Sequence, residues 1–556
     1  MPEIGPHTRQ ENLERLERET FDVCVVGGGI TGAGVALDAA SRGLTVALVE
    51  RDDFASGTSS KSSKMIHGGL RYLANYDFGL TYESSRERDL LRRLAPHLVR
   101  PLRFLFPAYK KGFTTRFATI GLTLYDIAAG GRGFERHHRA GPDDVRRLAP
   151  SLDPARVVAA WTYYDASTDD ARLVFEVLRT AHSFGAAIVN HAPVEGFDTS
   201  GGTLSAAHVR EAITGRQLVV RARCFVNAAG VWATQVGGLE PESVLPAMRP
   251  AKGIHLVVPR DAVPVHAGVV VPSVARDGRS MFAVPWGPST VIGTTDTEYT
   301  GSLEAPSVTD EDVRYMLSAV NWSLGLDASP GDVTSAWAGL RPLLAGEGGP
   351  ETSTADLSRK HYLSVSKAGL VTITGGKLTT YRRMAADAVD LVCERLGVRA
   401  RSRTKRLPIG LHRPLDGLQE ETRVLAERFG LDAATAEHLV EQHGDRAPAV
   451  LDLVTEDATL GAPLVPGLPW IAAEAVWAVR REMAMTVADV VERRTRLSLA
   501  DRAAGLDSPA PALVSRELGL DPSEQAAQVA RVAAAVTAER GVVARPPAPL
   551  GGPASG

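Results

Sequence analysis

Three glycines carry the plainest chemical signal. Gly27, Gly29 and Gly32 stand as Gly-x-Gly-x-x-Gly between the β-branched run FDVCVV and the small-residue run TGAGVALDAASRG. The first permits a tight turn, the second lets backbone approach a pyrophosphate, and the third lets a helix pack closely on a strand. The pyrophosphate would rest on the helix N-terminus, where free N–H groups and the helix dipole favour anions. Thr31, inside the same turn, is a further candidate contact. Glu50 closes the next apolar run, LTVALVE, as an acceptor for ribose hydroxyls. An acid there disfavours a 2′-phosphate, which points to FAD or NAD rather than NADP.

These residues need a strand–helix–strand unit to hold them, and the sequence supplies one from Phe21 to Glu50. Residues 52–72, rich in Ser, Thr, Gly and Lys, read as a loop. From about 150 to 370, strand-like runs alternate with short helical ones. VTITGG and YRRMAADAVDLVCERL then repeat the strand-to-helix step. Beyond about 405 the pattern turns helical, and ARPPAPLGGPASG at the end is Pro/Gly-rich and reads as disordered. The chain has 556 residues, 44% apolar and 23% charged, with 62 basic and 65 acidic side chains and a net charge of -3. That composition excludes wholesale disorder and argues against a dedicated nucleic-acid binder. Cys24, Cys224 and Cys393 are too scattered for a disulfide framework or a metal site, and no metal is expected. The charged stretch ENLERLERE is no signal peptide, and no run reaches the roughly 18 apolar residues of a membrane span. The expected location is the cytoplasm, at most on a membrane surface.

GTSSKSSKMIHGGLRYL (57–73) separates FAD from NAD. It resembles the flavin-embracing loop of FAD-dependent glycerol-3-phosphate dehydrogenases, the aerobic, membrane-associated kind. KGIHLVVP (252–259), PWGPSTVIGTTDTEY (285–299), GLRPL (339–343), GGKLTTYR (375–382) and ERRTRLSL (492–499) resemble the same family in the same order. The resemblance implies an α/β fold. A Rossmann-type FAD-binding domain (about 21–100, 150–240 and 335–400) interleaves with a substrate domain carrying a mostly antiparallel sheet (about 101–149 and 241–334). A C-terminal helical domain (405–543) follows, with an N-terminal extension (1–20) before and a tail (544–556) after.

The resemblance also assigns residues. Thr58, Ser59, Ser60, Ser63, Lys64, His67, Gly68, Gly69 and Leu70 would embrace FAD, with Val194 at its adenine end. Ala229 and Gly230 of NAAGVW lie near the cofactor in this superfamily. Gly376, Lys377, Leu378 and Thr379 offer backbone N–H groups at a second helix start, beside the isoalloxazine. The implied substrate is glycerol 3-phosphate, whose dianion calls for cations with forked donors. Arg71, Arg341, Arg359 and Lys377 are candidates, with Tyr72 beside them. Arg341 could instead pair with an internal carboxylate. Around Arg359, Lys360 and His361 stand where the family more often has an Asp before an aromatic residue, so a merely exposed arginine is the alternative. Loss of the hydroxyl proton calls for a base of near-neutral pKa. His255 is the first choice, although a satisfied core histidine is the bland reading; Lys377 could hold the oxyanion or take the proton.

No cysteine spacing offers an internal electron relay, so a diffusing acceptor is required. The resemblance names a quinone; the enzyme rival passes electrons to oxygen, and a non-catalytic flavin-binding redox sensor is the rival from another class. Val99 to Tyr125 lacks acids yet has Arg100, Arg103, Lys110, Lys111 and Arg116. Within and just beyond it, Phe113, Phe117, Ile120, Leu124 and Ile127 form a stripe at helical spacing. Such a stripe is commonly core-facing. The resemblance instead suggests a peripheral membrane face at 99–128, on the inner side of the cell membrane; a homodimer stays open.

Overall fold

The computed structural model describes residues 3–70, 77–128, 135–240, 246–273, 280–344, 361–500 and 502–540. Among them are two large sheets. The first runs, edge to edge, through His361–Val365, Leu370–Gly375, Gln217–Asn227, Thr20–Val26, Val46–Val49 and Ala187–Val189. Thr20–Val26 is paired in parallel on both sides, with Gln217–Asn227 and Val46–Val49. A parallel sheet is covered on both faces, which explains the unbroken apolar run VCVV. The helix Ile30–Ser41, almost wholly buried, packs on this sheet and on the helices Asp170–Ser183 and Tyr381–Leu396. Gly34 makes that close: a Cβ there would stand 2.9 Å from the Tyr381 ring.

The second sheet orders Thr297–Glu298, Ala251–Pro259, Ser289–Gly293, Ser280–Trp286, Gly268–Pro272, Arg100–Ala108, Ala159–Ser167 and Met65–Ile66. Ser335–Arg341 also pairs with Ala251–Pro259, from Ala251 opposite Arg341 to Val257 opposite Ser335. All its pairings are antiparallel except that of Gly268–Pro272 with Arg100–Ala108. The fold is the expected α/β arrangement, but the segments divide differently. Ala159–Ser167 and Ser335–Arg341, expected with the FAD-binding part, belong to the second sheet. The chain therefore crosses between sheets at the residues that will matter chemically.

Helices from Leu415–Arg428 onward build a third body around Leu439, Val450, Val476 and Trp477. The first 20 residues are more than an extension. The helix Pro6–Arg18 buries Leu13 and Leu16, and the buried Arg9 donates to Glu211 at 2.6 Å. No described helix is long and apolar enough to cross a membrane. In Phe113–Ala128, Leu122 and Tyr125 face inward, whereas Ile120, Leu124 and Ile127 are exposed. The described part of the stripe therefore faces outward, against the core-facing alternative. The side chains of Phe113, Phe117 and Arg116, and the tail 544–556, lie outside the described residues.

Candidate active site

A cavity of about 510 Å³ runs between the two sheets, from Glu50 and Val194 at one end to His255, Arg341 and Lys377 at the other. Its first end is largely backbone, with the Glu50 carboxylate beside it. Gly27 has φ +114°, a conformation L side chains rarely adopt, and a Cβ there would press on the Ala228 carbonyl at 2.7 Å. A Cβ on Gly32 would stand 1.9 Å from the Gly27 carbonyl oxygen, so Gly32 serves packing and does not line the cavity. Gly29 and Thr31 do line it, and Ser59 Oγ accepts from the Ile30 N–H at the helix start. Glu50 accepts from the Gly28 and Asp52 N–H groups at 2.6 and 2.9 Å. Burial still lifts its carboxyl above the ordinary range, against those two donors. Such a carboxylate gains from further donors of the kind ribose hydroxyls provide.

The loop after Glu50 crosses to the second sheet and is fixed there. Thr58 Oγ1 donates to the Leu340 carbonyl at 2.7 Å, and bare Gly339 lets the Lys61 carbonyl lie against the strand. Further on, the His67 N–H donates to Thr379 Oγ1, whose hydroxyl donates back to the His67 carbonyl. That staple joins the loop to GGKLTT. Gly376 (φ +68°), Lys377, Leu378 and Thr379 line the same cavity, as do Ala229 and Gly230.

The second end is made of side chains. His255, opposite Gly293 and Trp337 in register, is 3% exposed. Gly293 leaves the room, since its Cβ would meet the imidazole at 2.1 Å. The ring stacks on Trp337 at 4.9 Å, and Nε2 lies 2.9 Å from Ser63 Oγ. Burial, with the Lys64 and Arg341 cations, pushes the imidazole pKa down to about 3. His255 is thus held as a neutral imidazole, with a pKa below the near-neutral value expected of it. Arg341 donates to Asp296 Oδ1 at 3.2 Å, to Thr294 Oγ1 at 3.3 Å and to the Thr295 carbonyl at 3.1 Å. It has the internal carboxylate weighed as an alternative, yet it still lines the cavity. Bare Gly253 admits it, a Cβ there falling 2.9 Å from Arg341 Nη2. Lys377 Nζ donates to Ser84 Oγ at 3.1 Å.

Several expected contacts stand elsewhere. Ser60, Lys64, Gly68, Gly69 and Leu70 are absent from the cavity wall. Lys64 points into protein, with Nζ 2.8 Å from Asp170 Oδ1. The Gly68 N–H donates to Asp165, and a Cβ there would strike Ser85 and Tyr125. Arg71, Tyr72 and Arg359 lie outside the described residues. The wall also includes Arg51, Gln235 and Trp232, which sequence reasoning missed. Arg51 lies over the Trp232 ring at 4.2 Å, and Trp232 lies just past Gly230 in the NAAGVW motif. Asp53, His191 and Asp489 bring possible ligand atoms within 4.8 Å of one another. Their carboxylates already accept from Arg493 and Arg494, so guanidinium groups meet the charge a cation would.

Residues 22–382 match the family model "FAD dependent oxidoreductase", and residues 402–525 match "C-terminal domain of alpha-glycerophosphate oxidase". Glycerol-3-phosphate dehydrogenase 2 of Mycobacterium tuberculosis (strain ATCC 25618 / H37Rv) is 39% identical over 544 residues, 96% of this chain and 91% of that protein. The mitochondrial glycerol-3-phosphate dehydrogenase of Homo sapiens is 36% identical over 518 residues, 89% of this chain and 70% of that one. The structure of the Bacillus halodurans glycerol-3-phosphate dehydrogenase complexed with FAD has a TM-score of 0.78 at 27% identity, covering 96% of this chain and 98% of that chain.

Proposed function

The chain belongs to the family of FAD-dependent glycerol-3-phosphate dehydrogenases, and from that premise we propose that it oxidises sn-glycerol 3-phosphate to dihydroxyacetone phosphate and passes the electrons to a quinone. The observation that carries the reading is one continuous cavity with a bare glycine turn at one end and His255, Arg341 and Lys377 at the other. The first end fits FAD: Gly27 and Gly29 bring bare backbone to the cavity wall, and the buried Glu50 carboxylate stands where ribose hydroxyls would donate. FAD, when bound, supplies the acceptor for the hydride leaving the carbinol carbon.

The protein's own groups do the rest. Arg341, held by Asp296 and the Thr294–Thr295 turn, presents a forked cation to the substrate phosphate. The dianion in turn offsets the Arg341 charge that helps depress His255. His255 Nε2 meets Ser63 Oγ, with the donor set by the tautomer, and Nδ1 is buried and bonds to no described residue; the neutral imidazole is the group that accepts the hydroxyl proton. Lys377 holds the developing alkoxide. Thr58, Ser59, His67 and Thr379 hold the loop and the second helix start around the cofactor; Arg71, Tyr72 and Arg359, outside the described residues, are further candidates for binding the substrate. The three cysteines are free and buried, which leaves a diffusing acceptor to collect the electrons.

Exposed Ile120, Leu124 and Ile127 on one helix, with Phe78 and Tyr82 on the helix packed beside it, form the face that meets an anionic membrane where the quinone resides. Lys110 and Lys111 lie at its edge. Anaerobic addition of glycerol 3-phosphate should bleach the yellow absorbance of the purified holoenzyme; an unchanged spectrum sinks the reading. The oxidase name on the 402–525 match favours oxygen as a second acceptor. Peroxide yield in air, set against reduction of a soluble quinone, separates the two.

A further inference from the structure

The helical domain reaches the reaction end of the cavity through one short segment. Arg496, 3% exposed, donates from Nη2 to Asp170 Oδ1 at 2.8 Å and to the Ser60 carbonyl at 3.3 Å. Its Nε lies 3.3 Å from Asp169 Oδ2. Lys64, also buried, donates to the same Asp170 oxygen at 2.8 Å and to the same Ser60 carbonyl at 3.0 Å. The other Asp170 oxygen accepts from the Ser62 N–H at 3.0 Å and the Ser62 hydroxyl at 2.7 Å. Two buried acids and two buried cations thus close around the segment 60–64. Asp170 opens the helix Asp170–Ser183, where the dipole favours its charge. Both cations sit in left-handed backbone, Lys64 at φ +54° and Arg496 at φ +61°. Non-glycine residues hold that conformation only where their surroundings impose it.

The segment so held carries Ser63, whose hydroxyl meets His255 Nε2. A second route arrives from behind. The Ser335 hydroxyl donates to the Ser498 carbonyl at 2.8 Å, and Leu499 shares a buried apolar cluster with Val257, Val291 and Trp337, the ring that stacks on His255. Arg496 and Asp170 do not line the cavity.

We infer that Arg496, supplied by the C-terminal helical domain, and Asp170 are positioning residues that fix the His255 imidazole through Ser63. The helical domain is on this account part of the active site. The inference rests on the reading that His255 takes the substrate proton.

Arg494 is the control. It is buried at the same domain boundary but pairs with Asp53 at 2.5 and 2.9 Å and lies over Phe175 at 3.8 Å, away from the 60–64 segment. Holoenzymes of Arg496→Gln, Arg496→Lys, Ser63→Ala, Arg494→Gln and His255→Ala are compared in two measurements. One is hydrogen exchange of the peptide 58–67. The other is anaerobic single-turnover bleaching at saturating glycerol 3-phosphate. Arg496→Gln should exchange 58–67 at least tenfold faster and bleach at least tenfold more slowly, with bound FAD retained and with partial recovery in Arg496→Lys. Adding Ser63→Ala should slow it little further. Arg494→Gln should bleach within twofold of the parent.

Exchange and bleaching both within twofold of the parent in Arg496→Gln overturn the inference, as does equal slowing in Arg494→Gln. If Arg496→Gln yields no holoenzyme, Arg496→Lys with and without Ser63→Ala decides: non-additive slowing supports the inference and additive slowing overturns it. If His255→Ala bleaches at the parent rate while 58–67 still loosens in Arg496→Gln, the histidine reading has failed and the positioning of the loop stands.

Discussion

At the nucleotide end of the cavity, Gly27 and Gly29 bring bare backbone to the wall, Gly32 packs behind it, and short hydroxyls stand beside the Glu50 carboxylate. At the reaction end the wall includes His255, Arg341 and Lys377, brought from strands and turns far apart in sequence and held by Ser63, Asp296 and Ser84. The first end works by steric exclusion, so a change there either fits or does not. The second works by charge and proton affinity, so its changes are graded. Substitutions on either side test that contrast.

The largest effect belongs to Gly32→Ala. The new methyl would stand 1.9 Å from the Gly27 carbonyl oxygen, a backbone atom that cannot swing aside. Protein carrying essentially no FAD is expected, read as the flavin-to-protein absorbance ratio. Fully yellow protein would end the claim that the turn excludes a side chain.

His255→Ala should come next. It should slow anaerobic flavin reduction by about 10²–10⁴, the usual contribution of a positioned proton acceptor, and leave the FAD content unchanged. Burial and the two cations hold the imidazole pKa at about 3, so it stays unprotonated across the working pH range of the free enzyme. The kcat/KM profile, which reports the free enzyme, should therefore show no histidine limb near 6.5. A limb there that vanishes in His255→Ala would contradict the depressed imidazole.

Arg341→Ala is expected to raise the Michaelis constant for glycerol 3-phosphate by about 100-fold, or about 2.7 kcal/mol of lost binding. Steady-state kinetics with saturating acceptor check it. A rise below about threefold would reduce Arg341 to the partner of Asp296, the alternative its sequence setting left open.

The same contrast explains what could be read in advance. Spacing alone gave the glycine turn and Glu50, because steric demand leaves a local trace in sequence. His255, Arg341 and Lys377 needed a resemblance, since pairings such as His255 with Trp337 join residues remote in the chain. Lys64 shows the same limit. The resemblance places it in the loop around FAD, but its ammonium turns into the protein toward Asp170, which Arg496 also meets, and both partners are distant in sequence. Trp232 escaped notice because an aromatic after a glycine turn reads as packing, and its partner Arg51 lies in another strand's loop. Nothing in ERRTRLSL by itself told that it would dock against the flavin loop.

The smallest effect tests whether the backbone-built end has any graded element. Ser59 Oγ accepts from the Ile30 N–H at 2.9 Å, satisfying one of the donors that a helix start leaves unpaired. Ser59→Ala removes that acceptor but puts nothing in the way of a ligand. A hydrogen bond of this kind is worth about 0.5–1.5 kcal/mol, which corresponds to a rise of roughly 2- to 13-fold in the FAD dissociation constant. The freed N–H can turn to the pyrophosphate instead, so the lower part of that range is expected, with bleaching by substrate unchanged once FAD saturates. Loss of FAD as complete as in Gly32→Ala would show that side chains, too, govern the first end by exclusion, and the contrast between the two ends would fail at this residue.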